Sequence, residues 1–198
     1  MRVPLILLAL LPLCVSAPAQ VVEFWSNGLE YQALSRGGLT IMYARLPLAI
    51  HDYGIVQAAV SNGSGRVWKL KPADFVFEQT GDPPLRAIPE AEVIYDLFRN
   101  AGRNEVIKLQ SAYEQALFGN QHIRSNNGYE QRRLAALAMG DKGVRAAAAA
   151  SALAFATTEL SSGDSTDGAL FFRTSGQELP AGRLVAVIQG QVFEFHTK

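Results

Sequence analysis

The alternation of hydrophobic and polar residues divides this chain into two β-patterned blocks with a helical stretch between them. Short apolar runs that end at turn residues predict strands across residues 21–88 and again across residues 168–196. Residues 89–158 carry their apolar side chains at helical spacing instead. Since β blocks lie on both sides of the helices, the last strands are expected to complete a sheet that the first strands begin. Residues 20–198 are therefore predicted to form a single domain, with residues 89–158 as a helical insert.

Turn residues separate the predicted strands at short intervals. Asn27-Gly28 follows the first strand, and Gln189-Gly190 joins the last two strands with glycine where a two-residue hairpin loop needs a positive φ. Several short strands separated in this way are typical of a β-sandwich. The predicted fold class is mainly β with an α insertion (α+β), a β-sandwich interrupted by three to four helices.

Capping and composition predict where the inserted helices begin and end. Pro89 suits a first helical position, where its missing N–H is not needed, and Glu90 and Glu92 favour the positive end of the helix dipole. Asn127 followed by Glu130 resembles a capping box. The last helix is nearly all alanine, which loses little entropy in a helix and lets a neighbouring helix or sheet approach closely. The helices are expected over about residues 89–102, 104–118, 127–140 and 141–158.

Residues 1–19 have the features of a secretory signal peptide. Arg2 supplies the charged start, residues 5–15 form the apolar run, and Ala17-Pro18-Ala19 is an A-x-A-type cleavage site. A retained membrane anchor is less favoured because the apolar run is short. Lipidation of Cys14 is less favoured because Leu11-Pro12-Leu13 lacks the small residue expected next to a lipidated cysteine. Cleavage after Ala19 predicts an exported protein, periplasmic or secreted, with no membrane span.

Composition narrows the function classes of the mature chain. Cleavage removes the only cysteine, so neither a disulfide nor a cysteine nucleophile is expected. It removes Arg2 from the 18 basic and 18 acidic residues, which leaves 17 against 18. A basic footprint for nucleic acid or for an anionic membrane is therefore missing at the level of the whole chain.

Two segments of the β blocks carry a family resemblance. Residues 56–62 run as a strand into an Asn-containing turn, and Lys71-Pro72-Ala73-Asp74-Phe75-Val76-Phe77 follows with a Phe-bearing strand after a proline. Residues 160–172 carry a Gly-containing turn that leads into a strand with aromatic residues. In these features the chain resembles small secreted bacterial immunoglobulin-like domains of unknown function.

This resemblance covers roughly residues 38–88 and 158–196. It implies an immunoglobulin-like β-sandwich, and it implies a binding or envelope-interaction module. The chain departs from the family pattern at Ser162, where a proline is common, and in its helical insert. No family site residues carry over to this chain.

Most of the unusual polar residues lie in the helical insert. One interpretation is a recognition surface, because Arg is suited to bidentate capture of a carboxylate or phosphate. The other is structural: Glu130 caps a helix and pairs with Arg133 at i, i+3, and the remaining residues form a solvated helix face. The candidate binding residues are Arg103, Lys108, Tyr129, Glu130, Arg132 and Arg133.

Motifs for metal binding and catalysis are weak in this sequence. The three histidines, His51, His122 and His196, fall in different regions, with no second ligand at metal spacing. Residues 164–168 faintly resemble a calcium loop but lack the third alternating acceptor and the downstream Glu, so a turn explains them better. No catalytic residue, metal or cofactor is predicted.

Two further features suggest surface chemistry. Asn62-Gly63-Ser64 matches a glycosylation acceptor. Trp25 and Trp68 are suited to stacking on sugars, although tryptophan in a sandwich more often belongs to the core.

Three hypotheses for function follow. Export, a sandwich scaffold and the lack of a catalytic motif favour a non-catalytic binding module whose partner is an envelope protein or an extracellular ligand. The alternative is a secreted hydrolase with its site between the insert and the sheet, for which Glu114, Glu130 and His122 are the candidate acids and bases. In the third, the insert only covers an open face of the sheet, the Ala-rich helix is buried, and the polar cluster is its rim.

Overall fold

The computed structural model describes residues 20–196, except for residues 101, 119–127, 130–133, 135–137 and 139–141. For residues 103, 105, 106, 117, 118 and 142–147 it describes the backbone alone. The predicted signal peptide and most of the predicted third helix lie outside the described residues.

The strands of the described chain are 2 to 12 residues long, and its α-helices fall between β7 and β8. The strands are β1 (Val22–Ser26), β2 (Leu29–Arg36), β3 (Leu39–Ile50), β4 (Tyr53–Asn62), β5 (Trp68–Leu70), β6 (Phe75–Gln79), β7 (Leu85–Arg86), β8 (Thr158–Leu160), β9 (Ser165–Arg173), β10 (Gly182–Ile188) and β11 (Gln191–Glu194). The helices are α1 (Glu90–Asn100), α2 (Arg103–Phe118) and α3 (Lys142–Leu153). The protein is therefore mainly β with a smaller helical part, as the sequence predicts.

The strands pair antiparallel in three sheets. A five-stranded sheet has the order β1-β2-β3-β4-β9, a four-stranded sheet has the order β11-β10-β6-β7, and β5 pairs with β8. Each of the strands β8, β9 and β10, which follow the helices, pairs with a strand that precedes them. This pairing agrees with the expectation that the last strands complete a sheet begun by the first.

The tight turns form where the sequence places glycine. Asn27 and Gly28 have φ of 49° and 76°, and Gln189 and Gly190 have φ of 47° and 81°. Positive φ at both central residues is the requirement of the turn whose twist matches two antiparallel strands. The hairpin predicted at Gln189-Gly190 is confirmed by the pairing of β10 with β11.

The two larger sheets contribute side chains to one core. Ile41, Val56 and Phe172 from the five-stranded sheet belong to the same buried cluster as Phe77 and Leu184 from the four-stranded sheet. The rings of Phe77 and Phe172 lie 5.9 Å apart between centroids. One face of the five-stranded sheet is thus buried against the other sheet, and we call the opposite face its outer face.

The helices pack on part of that outer face. Leu97 of α1, Tyr113 of α2 and Leu153 of α3 are buried in one cluster with Ile55 and Phe171 of the sheet. The described end of the Ala-rich helix is largely buried there, which is the burial that the covering hypothesis expects. Among the described residues, no helix combines the length and hydropathy needed to cross a membrane.

The Ala-rich helix ends earlier than the sequence predicts. It was expected to run to about Thr158 but ends at Leu153, and residues 158–160 form β8. The N–H of Phe155 donates to the carbonyl of Ala169 at 2.9 Å, and the Phe155 ring is buried 5.3 Å from the ring of Phe75. A sheet hydrogen bond and a buried aromatic side chain outweigh the small helix preference of alanine at this point.

Candidate functional site

A groove lies on the outer face of the five-stranded sheet, beside the strand residues that α2 contacts. Its volume is about 570 Å³. Among the described residues, those that line it are apolar or carry hydroxyls, and none is charged: Val22, Phe24, Trp25, Ala33, Thr40, Met42, Ala59, Val60, Ser61, Ser165 and Thr166. We call this feature the outer groove.

Strand register builds the floor of the outer groove from one apolar row. Val22 of β1 pairs with Ala33 of β2, Ala33 with Met42 of β3, and Met42 with Ala59 of β4. Residues two positions apart along a strand point to the same face, so each row repeats on the outer face at every second residue. The apolar row therefore crosses four neighbouring strands.

Rows of different chemistry flank the apolar row. On one side Ser35, Thr40, Ser61 and Ser165 pair across four strands, and their hydroxyls bond in couples: Ser35 with Thr40 at 2.7 Å and Ser61 with Ser165 at 3.0 Å. On the other side Phe24 stacks on Tyr31 with 5.3 Å between ring centroids. The floor thus changes from aromatic through aliphatic to hydroxyl across its width.

The aromatic row marks the border between the groove and the helices. The Tyr31 hydroxyl donates to Gln57 Oε1 at 2.8 Å and lies 3.2 Å from the carbonyl oxygen of Ala116 in α2. Gln57 is fully buried, and within the described part of the chain its Nε2 has no hydrogen-bond partner. Tyr113 of α2 donates to the buried side chain of Asp167. Asp167 lies on β9, where it pairs with Ala59, the last residue of the apolar row. These bonds fix α2 beside the groove.

A second, smaller pocket lies on the opposite face of the sheet, where Trp25 points away from Val22 and Phe24. The side chain of Trp25 is 72% exposed, whereas Trp68 is fully buried. The second pocket has a volume of about 280 Å³ and is lined by Trp25, Gly28, Leu29, Glu30, Gln32, Tyr43, Arg45, Leu46, Pro47, Glu178, Leu179 and Gly182. The expectation that tryptophan belongs to the core is therefore confirmed for Trp68 and wrong for Trp25.

The second pocket has polar groups that the structure already engages. Arg45 donates to the carbonyl of Pro180 at 2.7 Å, and Gln32 Nε2 donates to Glu23 at 3.0 Å. Burial raises the pKa of the Tyr43 phenol, so this hydroxyl remains protonated at neutral pH. Since these groups serve the fold, the apolar outer groove is the stronger candidate site.

The predicted binding residues of the insert fall into three groups. Tyr129 is buried in the helix–sheet cluster, where its ring lies 5.7 Å from that of Tyr113 and its hydroxyl donates to Glu114 at 3.1 Å. Lys108 is exposed on α2, and Arg103 begins that helix. Glu130, Arg132 and Arg133 lie outside the described residues, and so does His122. Their predicted roles stay predictions.

A cluster of charged residues holds α1 to the end of the outer face. Tyr53 donates to Asp96 at 2.6 Å, and Arg173 contacts Glu92 at 2.9 Å and Asp96 at 3.4 Å. The hydrogen bond from Tyr53, followed by the contact with Arg173, lowers the pKa of Asp96. Burial raises the pKa of Tyr53, and its bond to Asp96 adds to that shift. Because these side chains bond to one another, the cluster serves to attach α1 to the sheet.

The sequence motif for glycosylation is buried. Asn62 is fully buried, and its Nδ2 donates to the carbonyls of Arg66 at 2.7 Å and Leu160 at 2.9 Å. Its Oδ1 accepts from the backbone N–H of Ser64 at 2.9 Å. An amide with both hydrogens engaged is inaccessible to modification in the folded protein.

The remaining sequence motifs have structural roles or lie apart from one another. Residues 165–168 open β9, and Asp167 faces Tyr113, so the segment that resembles a calcium loop enters a strand. His51 contacts Asp52 at 3.4 Å and His196 contacts Glu23 at 3.6 Å, at separate places. In the part of the chain that the structure describes, no three His, Cys, Asp or Glu side chains are grouped to hold a metal.

The sequence does not predict the outer groove, because none of its residues is unusual when taken alone. Alanine, serine, threonine and methionine on five strands give no motif, and only the register brings them together. Comparisons with protein-family models, with curated proteins and with solved structures found no match for this chain.

Proposed function

We propose that the protein is an exported, non-catalytic binding module of the cell envelope or exterior, built as an immunoglobulin-like β-sandwich, and that it binds its partner in the outer groove. The observation that carries the proposal is the apolar row on the outer face, which ends at the exposed side chain of Val22. Val22 is 57% exposed, and its row continues through Ala33, Met42 and Ala59. A contiguous apolar surface of this kind marks an interaction site more often than isolated exposed side chains do.

The shape of the groove supports the same conclusion. Pockets that bind small molecules have volumes of roughly 300–1,000 Å³ and mostly apolar linings with a few polar groups. The outer groove, at about 570 Å³ with hydroxyls along one side, has these properties. The signal peptide predicted at residues 1–19 supports export.

The binding proposal is tested by photo-crosslinking in cells that produce the protein. A photoreactive amino acid replaces Val22, and in a control protein it replaces Val187. Val187 is also apolar and 48% exposed, but it lies on β10 of the other sheet. We expect a light-dependent adduct at position 22, seen as a mass shift of the purified protein, and none at position 187. Equal adducts at both positions, or none at position 22, would contradict the proposal.

Export is tested separately by the mass of the mature chain. Protein recovered from the periplasm or the medium should begin at Gln20. Recovery of the full-length chain from the cytoplasm alone would overturn that part of the proposal.

A further inference from the structure

The second pocket, on the face opposite the outer groove, combines an exposed indole with polar side chains. Trp25 is 72% exposed at this pocket, whose volume is about 280 Å³. A single exposed apolar side chain needs no explanation by itself, but tryptophan is enriched at binding surfaces, and ligands bind in concave pockets. The chemistry of the surrounding groups decides what such a site would bind.

Strand register brings the indole and two charged side chains to one face of the sheet. Trp25 pairs with Glu30 across β1 and β2. By the register of β2 and β3, Arg45 lies next to Glu30 on the same face. The connection between β9 and β10 adds Glu178 to the lining. One concave surface therefore holds an indole, a guanidinium and two carboxylates.

The floor of the second pocket is fixed by contacts within the protein. Gln32 Nε2 donates to Glu23 at 3.0 Å, and Gln32 Oε1 accepts from the backbone N–H of His196 at 3.0 Å. Tyr43 is buried, and its ring packs edge-on against that of Phe195 with 4.8 Å between centroids. A floor held in this way need not rearrange when a ligand arrives, which lowers the cost of binding.

The rim of the second pocket keeps hydrogen-bonding capacity. Arg45 Nη1 donates to the carbonyl of Pro180 at 2.7 Å, and this bond holds the guanidinium in place. A guanidinium has five N–H donors, so others remain for a ligand. Glu178 is exposed, and its carboxylate offers acceptors to a ligand in the same pocket. The rim thus supplies donors and acceptors together with the indole.

These groups restrict the chemical class of the ligand. A purely aliphatic ligand would take water from the charged side chains without replacing its hydrogen bonds. An ionised ligand of either sign would meet a like charge, because guanidinium and carboxylate groups line the same pocket. A ligand with one flat apolar face and several neutral hydroxyls meets both conditions, since each hydroxyl donates and accepts.

We infer that the second pocket binds a neutral pyranose sugar, whose apolar ring face stacks on Trp25 while its hydroxyls bond Arg45 and Glu178. The volume of about 280 Å³ is at the lower end of ligand pockets, which suits one ring of a glycan. This site lies on the other face of the sheet from the outer groove and binds its ligand independently of it.

An NMR titration of the isotope-labelled protein tests this site, with the methyl glycosides of glucose, galactose, mannose and N-acetylglucosamine as probes. The chain has two tryptophans, and Trp25→Phe assigns their indole N–H signals. Trp68 is the internal control, because it is fully buried and its Nε1 donates to Ser64 at 2.9 Å. We expect at least one glycoside to move the Trp25 signal saturably at millimolar concentration, while the Trp68 signal stays in place.

Variants locate the binding surface, with affinity followed by saturation transfer to the glycoside. Trp25→Ala should weaken binding at least about tenfold, because the stacking contact is lost. Val22→Ala is the matched control, since Val22 is an exposed residue of the same strand that faces the outer groove, and it should leave the affinity unchanged. Melting curves of both variants should match that of the wild type, because both side chains are exposed.

The charge of the sugar provides a second test. The uronate counterpart of the best-binding glycoside adds one carboxylate and should bind several-fold more weakly, because it meets the carboxylates of Glu30 and Glu178. Glu178→Gln keeps an acceptor at this exposed position, removes one negative charge and should reduce that difference.

The outcomes separate this site from the proposed function. Binding that is lost in Trp25→Ala and kept in Val22→Ala supports the inference. It is overturned if none of the four glycosides moves the Trp25 signal, or if Trp25→Ala binds as tightly as the wild type. Tighter binding of the uronate overturns the neutral class. An adduct at position 22 without sugar binding overturns this site and leaves the proposed function intact.

Discussion

The side-chain amide of Asn62 donates a hydrogen bond of 2.9 Å to the carbonyl oxygen of Leu160, 98 residues later in the chain. The same side chain donates to Arg66 and accepts from Ser64. One buried amide therefore joins the end of β4, the turn that follows it and the strand that returns from the helices. The position fastens the β block before the insert to the block after it.

Asn62→Ala should lower the free energy of unfolding by about 3 kcal/mol, because buried backbone carbonyls lose their donors. Asn104→Ala is the matched control. Asn104 is exposed on α2, and its replacement should change stability by less than about 0.5 kcal/mol. Urea denaturation of the two variants measures both values. Equal midpoints would show that the Asn62 bonds contribute nothing.

Gly168→Ala should strongly destabilise the fold. A Cβ at this position would lie 2.4 Å from Phe155 Cα and 2.6 Å from Phe155 N, and both are backbone atoms that cannot rotate away. The chain must then separate where it returns to the sheet, and we expect a loss of at least about 3 kcal/mol.

Gly65→Ala is the control for that substitution, since a Cβ there meets nothing within 4 Å. It should be neutral or stabilise the fold by up to about 1 kcal/mol, because alanine reduces the conformational entropy of the unfolded chain. Thermal unfolding of the two variants distinguishes them. A Gly168→Ala protein as stable as wild type would show that Phe155 does not dock on β9 in solution.

Asp96 should make stability depend on acid pH. Its pKa is lowered in the folded state, so its contribution is present above the unfolded value of about 4 and is lost as pH falls below that value. Asp96→Asn should cost up to about 1 kcal/mol at pH 7, because its side chain is 25% exposed and solvent weakens the ion pair. Near pH 2 the variant and the wild type should have similar stability.

The control for this pH effect is Glu159→Gln. Glu159 pairs with Lys69 at 3.6 Å, and both side chains are mostly exposed. Its replacement should change stability little at either pH. Urea midpoints at pH 7 and near pH 2 test the expectation, which is wrong if the Asp96→Asn difference grows on acidification.

Tyr129 should behave as a core residue when it is replaced. It is 6% exposed and packs on Tyr113, so Tyr129→Ala should cost about 3 kcal/mol by leaving a cavity. Tyr129→Phe keeps the ring and removes the hydroxyl that donates to Glu114, and it should cost about 1 kcal/mol. Melting temperatures of the two variants measure the difference.

The predicted binding role of the insert is tested in a separate double variant. Arg132→Ala with Arg133→Ala should abolish partner binding if those guanidinium groups form a recognition surface. Cross-linking at position 22, in the outer groove, provides the measurement in that double variant. An unchanged adduct with unchanged stability would assign partner binding to the outer groove instead of the insert.

Much of the secondary structure could be predicted from local patterns. Gln189-Gly190 makes its hairpin because glycine takes positive φ at no steric cost. The helical spacing of residues 93, 94, 97 and 98 predicts an apolar stripe on α1; Val93 and Leu97 of that stripe are buried, whereas Phe98 is 48% exposed. The end of α3 could not be predicted in this way. Alanine favours a helix through Ala156, and the tertiary contacts of Phe155, its bond to Ala169 and its buried ring, decide that the helix stops at Leu153.

The sequence by itself determined the strands, the turns between them and the helical stretch that divides them, because these follow from contacts within a few residues along the chain. Only the tertiary structure decided the outer groove, the exposure of Trp25 and the burial of Tyr129. Val22 and Ala59 are 37 positions apart by number, and they share one row because three successive strand registers align them. Register depends on which faces are buried together, and that is a property of the whole fold.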